Sequence, residues 1–268
     1  MSLARIYAIF LRQIYLFSHN WTRLFSIFAW IFVDVILWAF ITKYLNTVSS
    51  GSLDFISIFV GAIIMWNLFV RFQQGMIMPL LEDVWTSNFL NYFGSPLMIS
   101  EYAVGLMSVS FVTSVVGFSL MVVIAGLVIS YNIFMLGIGL AVFLLVLFIF
   151  GLAVGLFACG VILRFGPSAE WIAWPIPAIL SPLVGVFYPI SVLPHAVQAI
   201  SRILPPTYVF EGMRQVLATG TLSLSNLGWG LGLGFVYMIV AFSFFTYIYR
   251  LVLRNGLISR FSAEATEF

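Results

Sequence analysis

Charged residues are nearly missing from this chain: Asp, Glu, Lys and Arg together make up 7% of its 268 residues. A soluble domain carries about a quarter, so these residues could not cover a water-facing surface, and lipid is the expected solvent. Lysine occurs once, as Lys43, preceded by Ile41-Thr42. A phosphate-cradling loop needs Gly-x-x-x-x-Gly-Lys-Ser/Thr, so the chain is not expected to bind ATP in that manner. The single cysteine, Cys159, rules out an intramolecular disulfide and reads as a small buried hydrophobe. Two histidines, His19 and His195, lie too far apart in sequence to suggest a zinc site. There is no Gly-x-Ser-x-Gly nucleophile elbow. No catalytic residue, metal ligand or nucleic-acid partner is expected.

Apolar residues are what the sequence has in excess, at 63%, with 28 Phe and 8 Trp and a mean hydropathy of +1.14. Six stretches are apolar enough for a hydrocarbon core: about 24–41, 55–70, 102–130, 134–163, 171–188 and 227–249. Arg5, Arg12, Arg23, Arg71, Arg164, Arg250, Arg254 and Arg260 fall on one side of these spans, and Lys43, Arg202 and Arg214 on the other. Eight against three places both termini in the cytoplasm. The expected fold is a single all-α integral membrane domain over residues 1–268, with six transmembrane helices and no cleaved signal peptide.

Three segments outside the spans carry pattern. In residues 1–22, Leu3, Ile6, Tyr7, Phe10, Ile14 and Phe17 recur at helical spacing, while Arg5, Arg12 and His19 lie seven apart on another face. That predicts an amphipathic helix in the cytoplasmic headgroup region; a plain basic flank to the first span is the alternative. Residues 79–93 start at Pro79, carry Glu82 and Asp83 early and end before Gly94-Ser95-Pro96, which is helix punctuation. Leu81, Val84, Trp85, Phe89 and Tyr92 would form the apolar face of this short surface helix. Residues 190–226 are divided by Pro194 and Pro205-Pro206 into two helical pieces too short to span. They predict an external re-entrant helical hairpin between spans five and six.

Individual polar residues stand out against this background. Asp34 lies near the middle of the first span, where it should face protein or water. Glu211 and Arg214 are three apart on a short helix and can pair. Glu101 and Glu170 sit at span ends within reach of water and call for no special role. Trp66, Trp171, Trp174 and Trp229 read as interfacial anchors. Gly151-x-x-x-Gly155 and Gly230-x-x-x-Gly234 permit close helix approach, within a subunit or between two.

The run Ser181-Pro182-Leu183-Val184-Gly185-Val186-Phe187-Tyr188-Pro189, followed by Leu193-Pro194, Leu204-Pro205-Pro206-Thr207-Tyr208 and Glu211-Gly212-Met213-Arg214, resembles the membrane subunit of type-2 ABC exporters. The segment from Leu81-Glu82-Asp83 to Gly94-Ser95-Pro96 is similar to that family's coupling segment. The resemblance implies a permease of the bacterial inner membrane that forms a homodimer and binds two separate ABC ATPase subunits. ATP and Mg would be held by that partner, with no cofactor on this chain. It implies that Glu82, Asp83, Trp85 and Phe89 receive the ATPase motion. Asp34, Tyr188, Pro189, Glu211 and Arg214 become candidates for the substrate pathway or gate, with a helix–helix hydrogen bond for Asp34 and a structural pair for Glu211 and Arg214 as alternatives. An amphiphilic or hydrophobic cargo, such as a glycolipid, lipid-linked polysaccharide or drug, suits the aromatic spans. A proton-coupled secondary transporter and a membrane lipid-modifying enzyme are the competing functions. The first predicts more intramembrane carboxylates and an inverted repeat, the second a cluster of catalytic residues at one depth.

Overall fold

In the computed structural model of the chain, residues 1–18, 21–48, 55–86, 88, 91–92 and 94–255 are described, with backbone only at 21–28, 31 and 55–57. The described chain is 87% helical, without strands. Its α-helices are α1 (Leu3–Ser18), α2 (Trp21–Val48), α3 (Phe55–Trp85), α4 (Ile99–Ile129), α5 (Ile138–Phe165), α6 (Glu170–Ala173), α7 (Ile176–Leu183), α8 (His195–Arg202), α9 (Pro205–Thr219) and α10 (Leu224–Arg254). Among the described residues α4, α5 and α10 are long and apolar enough to cross a membrane. His19, Phe89 and Arg260, each given a place by the sequence pattern, lie outside the described residues.

The helices pack around α5, which is apolar all round and the most buried of those three. It lies between α3 and α10, while α4 packs on α3, α2 and α1. Small residues allow the close approach. A Cβ added at Gly151 would stand 2.7 Å from Phe72 Cβ, and one at Gly155 2.8 Å from Met76 Cβ. The Gly151–Gly155 pair therefore joins α5 to α3 within one chain. Added Cβ atoms at Gly230 and Gly234 meet Tyr208, Val146 and Ile149 at ordinary contact distance, so that pair faces α9 and α5. Cys159 is fully buried, its Sγ 3.4 Å from the Met76 carbonyl oxygen. Between α4 and α5, Ser130 takes the left-handed conformation (φ 55°) and Asn132 accepts a 3.0 Å bond from the Phe134 N–H. The chain thus turns at Tyr131-Asn132, between the apolar stretches 102–130 and 134–163.

Three expectations change. The second apolar helix does not stop near Arg71; α3 continues through Pro79 to Trp85, so Pro79 lies inside a helix and does not open a separate one. An internal proline costs about 3 kcal/mol, but Leu80, Leu81 and Val84 just beyond it are buried in the core, and their packing outweighs the missing hydrogen bond. The stretch 171–188 is not one helix. It breaks into α6 and α7 where Pro175 and Pro177, at the junction, supply no N–H; Pro182 lies inside α7. Trp66 is not an interfacial anchor: it is buried against Phe69 (4.7 Å between ring centroids) and Phe210 (6.0 Å). Trp171 and Trp229 are exposed.

Candidate functional site

Two polar clusters interrupt the apolar packing, one at each end of the bundle. The first is built on Asp83, carried into the interior by the last turn of α3 and wholly buried. Its Oδ1 accepts from Arg12 Nη1 of α1 at 2.5 Å, from Asn88 Nδ2 at 3.2 Å and from the Tyr92 hydroxyl at 3.4 Å. Its Oδ2 accepts from the Tyr102 hydroxyl of α4 at 2.8 Å. Arg12 also donates to the Tyr92 oxygen at 2.6 Å and lies over that ring, 5.7 Å from its centroid. A buried carboxylate is tolerated only when its lone pairs are occupied, and four side-chain donors achieve this here. Burial opposes the charge on Arg12, yet the Asp83 carboxylate more than compensates and holds the guanidinium above its ordinary pKa. Burial, followed by the negative charge of Asp83, pushes the Tyr92 phenol up, which keeps its proton in place.

A second carboxylate extends the same seam. Glu101, in the first turn of α4, accepts from the Ser2 N–H at 2.6 Å and the Met98 N–H at 3.0 Å, and pairs with Arg5 Nη1 at 3.4 Å. Arg5 also donates to the Pro96 carbonyl at 2.5 Å. Arg5 and Arg12, two turns apart on one face of α1, thus bind α1 to the start of α4 and the end of α3. The face expected to meet headgroups meets protein carboxylates, and Glu101 is a full partner where no role was expected. Leu3, Tyr7 and Tyr15 of α1 remain exposed. Glu82 and Trp85 flank Asp83 in sequence but do not join its cluster; Trp85 is exposed.

The second cluster gathers around a tight loop. Gly185 takes φ +67°, a conformation that favours glycine. Arg214 Nη2 of α9 donates to the Gly185 carbonyl at 2.8 Å and to Glu211 Oε1 at 2.9 Å. The same Glu211 oxygen accepts from the Ile190 N–H at 2.9 Å. Glu211 and Arg214 therefore clamp both sides of the 185–190 loop. Tyr188 closes the loop from within, its hydroxyl donating to the Pro182 carbonyl at 2.9 Å, and Pro189 leads in extended conformation into a short turn. Phe187 stacks on Trp38 of α2 at 4.8 Å, tying the loop to the bundle.

Asp34 joins neither cluster. Its Oδ2 accepts from Asn67 Nδ2 at 2.5 Å, a polar contact between α2 and α3. No three His, Cys, Asp or Glu side chains converge on a possible metal site among the described residues. Sequence reasoning gave Asp83 a function, and Glu211 and Arg214 a pairing. It missed Arg5, Arg12, Tyr102 and Glu101 as partners, because Arg12 and Asp83 are 71 residues apart and Arg5 and Glu101 are 96 apart. The one available signal was the seven-residue spacing of the arginines.

No curated protein matches the chain closely enough to count as a relative. The family of ABC-2 type transporters does match, over residues 4–218. That stretch holds both clusters and runs from α1 into α9, most of the chain, so the protein belongs to the ABC-2 type transporter family: a multi-pass permease subunit that serves transport and is not itself an enzyme.

Proposed function

We propose that this chain is the membrane subunit of an ATP-driven exporter of the bacterial inner membrane, working as a homodimer with two ABC ATPase subunits made as separate chains. ATP and Mg are bound by those partners. The chain crosses the membrane six times, through α2, α3, α4, α5, the broken α6–α7 pair and α10, with both termini in the cytoplasm. Support for this orientation comes from the distribution of basic residues, seven to three once Arg71, inside α3, is left out of the eight. On it, the Asp83 end is cytoplasmic, α1 lies in the interface with Leu3, Tyr7 and Tyr15 toward lipid, and α8–α9 form an external re-entrant hairpin.

The observation that carries the reading is the Asp83 seam. Asp83, Tyr102 and Arg12 lock α3, α4 and α1 to one another at the end that faces the ATPase on the proposed orientation. A displacement applied to the exposed Trp85 and to Glu82 and Phe89 reaches three helices at once through Asp83. At the other end, Glu211 and Arg214 hold the 185–190 loop shut, which suits the external closure of a pathway whose gate includes Tyr188 and Pro189. Asp34, which accepts a bond from Asn67 between α2 and α3, is assigned to the same pathway as a proposal. The cargo is amphiphilic or hydrophobic: a glycolipid, a lipid-linked polysaccharide or a drug. The test is ATP hydrolysis by the chain in lipid nanodiscs, alone and co-expressed with candidate ABC ATPase subunits. No hydrolysis alone and an active two-plus-two complex with a partner are expected; failure of every ATPase subunit to bind would sink the exporter reading.

A further inference from the structure

Arg71 is a cation that belongs to neither the seam nor the clamp and is partly buried inside the bundle. Arg71 lies inside α3, well before its end, and its buried Nε has no hydrogen-bond partner. No carboxylate lies within 4 Å of its guanidinium among the described residues. It lines a cavity of about 510 Å³ between α1, α2, α3 and α4, within the roughly 300–1,000 Å³ usual for small-ligand sites. Gln13, buried to 1% exposure on α1, lines the same cavity, and its Nε2 also lacks a partner. Gln74 adds a further side-chain amide, while Asn67 has its own amide turned to Asp34. Among the described residues Arg71 is the one charged side chain in the lining. Trp30 and Trp174, both partly exposed, supply aromatic walls.

The chain has built room for this arginine. A Cβ added at Gly117 of α4 would stand 2.8 Å from Arg71 Cδ and Nε, so the arginine stem passes directly over that glycine. The Arg71 Nε–H and the Gln13 amide N–H, both buried and unpaired, are costly unless an acceptor arrives. Guanidinium geometry favours a phosphate or carboxylate. The apolar and aromatic walls favour an attached hydrocarbon over a free ion.

We propose that this cavity binds the anionic headgroup of an amphiphile, a phosphate ester of a lipid, with Arg71 as its charge partner and Gln13 as a second donor. This rests on the exporter reading and narrows its cargo to an acidic lipid-like molecule that enters from the cytoplasmic half of the bilayer.

The probe is dioleoyl phosphatidic acid against dioleoyl phosphatidylcholine, offered in equal amounts to the purified full-length chain in detergent, with retained lipid counted by native mass spectrometry. One phosphatidic acid should be retained with a preference of about tenfold, equivalent to about 1.4 kcal/mol. Arg71→Gln should abolish the preference, Arg71→Lys should keep most of it, and Arg164→Gln should leave it untouched. Gln13→Leu, on α1 rather than α3, should lower it severalfold and reads the same cavity if Arg71→Gln does not fold. Equal retention of both lipids by the unaltered chain, or a preference that survives in Arg71→Gln and Gln13→Leu, would overturn the proposal. So would displacement of the lipid by excess inorganic phosphate, which would assign the site to a soluble anion. Retention is measured without an ATPase, so its failure leaves the exporter reading intact, and failure of ATPase binding leaves this site intact.

Discussion

The two polar clusters use similar groups in opposite ways. At the Asp83 end a single carboxylate collects donors from α1, α4 and the segment after α3, and its arginine is 71 residues away in sequence. At the Glu211 end the ion pair is three residues long, and its remaining bonds go to backbone atoms of one loop. The first ties helices to one another; the second fixes the shape of a loop that Phe187 and Trp38 then dock on the bundle. Long-range ties transmit displacement between elements, whereas a local clasp resists it. On the proposed orientation, that difference separates the end that receives motion from the end that closes the pathway.

Asp83→Ala should have the largest effect. It leaves Arg12 and two tyrosines without their common acceptor, a loss of about 3 kcal/mol by the measure of broken buried pairs, read as a lower thermal unfolding midpoint in detergent. A double-mutant cycle sharpens the contrast. Arg12→Ala with Asp83→Ala should be coupled by about 1–3 kcal/mol, and Asp83→Ala with Glu211→Ala should be additive within about 0.5 kcal/mol. Coupling between the two ends as strong as that within the seam would break the distinction drawn above.

Next in size is Arg214→Ala, expected to cost about 1–2 kcal/mol because Glu211 and the Gly185 carbonyl each lose a charge-assisted bond. Its signature is local: faster hydrogen exchange across residues 185–190 with the α3–α4 end unchanged. Arg5→Ala should cost least, below about 1 kcal/mol, since Arg5 is solvent-accessible and its 3.4 Å contact to Glu101 is long. Glu101 keeps its two backbone donors without it.

Much of this was legible in residue order, and for reasons that differ from element to element. Long apolar runs gave α4, α5 and α10, because hydrophobic length is a property of the chain itself. Proline placed the break before α9, because its backbone restriction is local, whereas the loop at Gly185 was hidden inside the stretch 171–188, which reads as one span. Pro79 misled for the same reason: local chemistry argues for a helix start there, and burial of Leu80, Leu81 and Val84 overrides it. Trp66 misled because its place in a run says how near a span end it lies, not which way it faces. The partners of Arg12 were hidden outright, since nothing in a seven-residue spacing says that a carboxylate from α3 will arrive beside it.

The central claim, that Asp83 carries motion from an ATPase into three helices, is tested most directly by Asp83→Asn in the co-purified complex with its ABC ATPase. Asparagine keeps the size of the side chain and removes its charge. The account predicts that the complex still assembles and hydrolyses ATP, while transport of a fluorescent amphiphile into proteoliposomes falls at least tenfold, a loss of about 1.4 kcal/mol in coupling. Transport that continues at the unaltered rate with Asp83→Asn in place would contradict it.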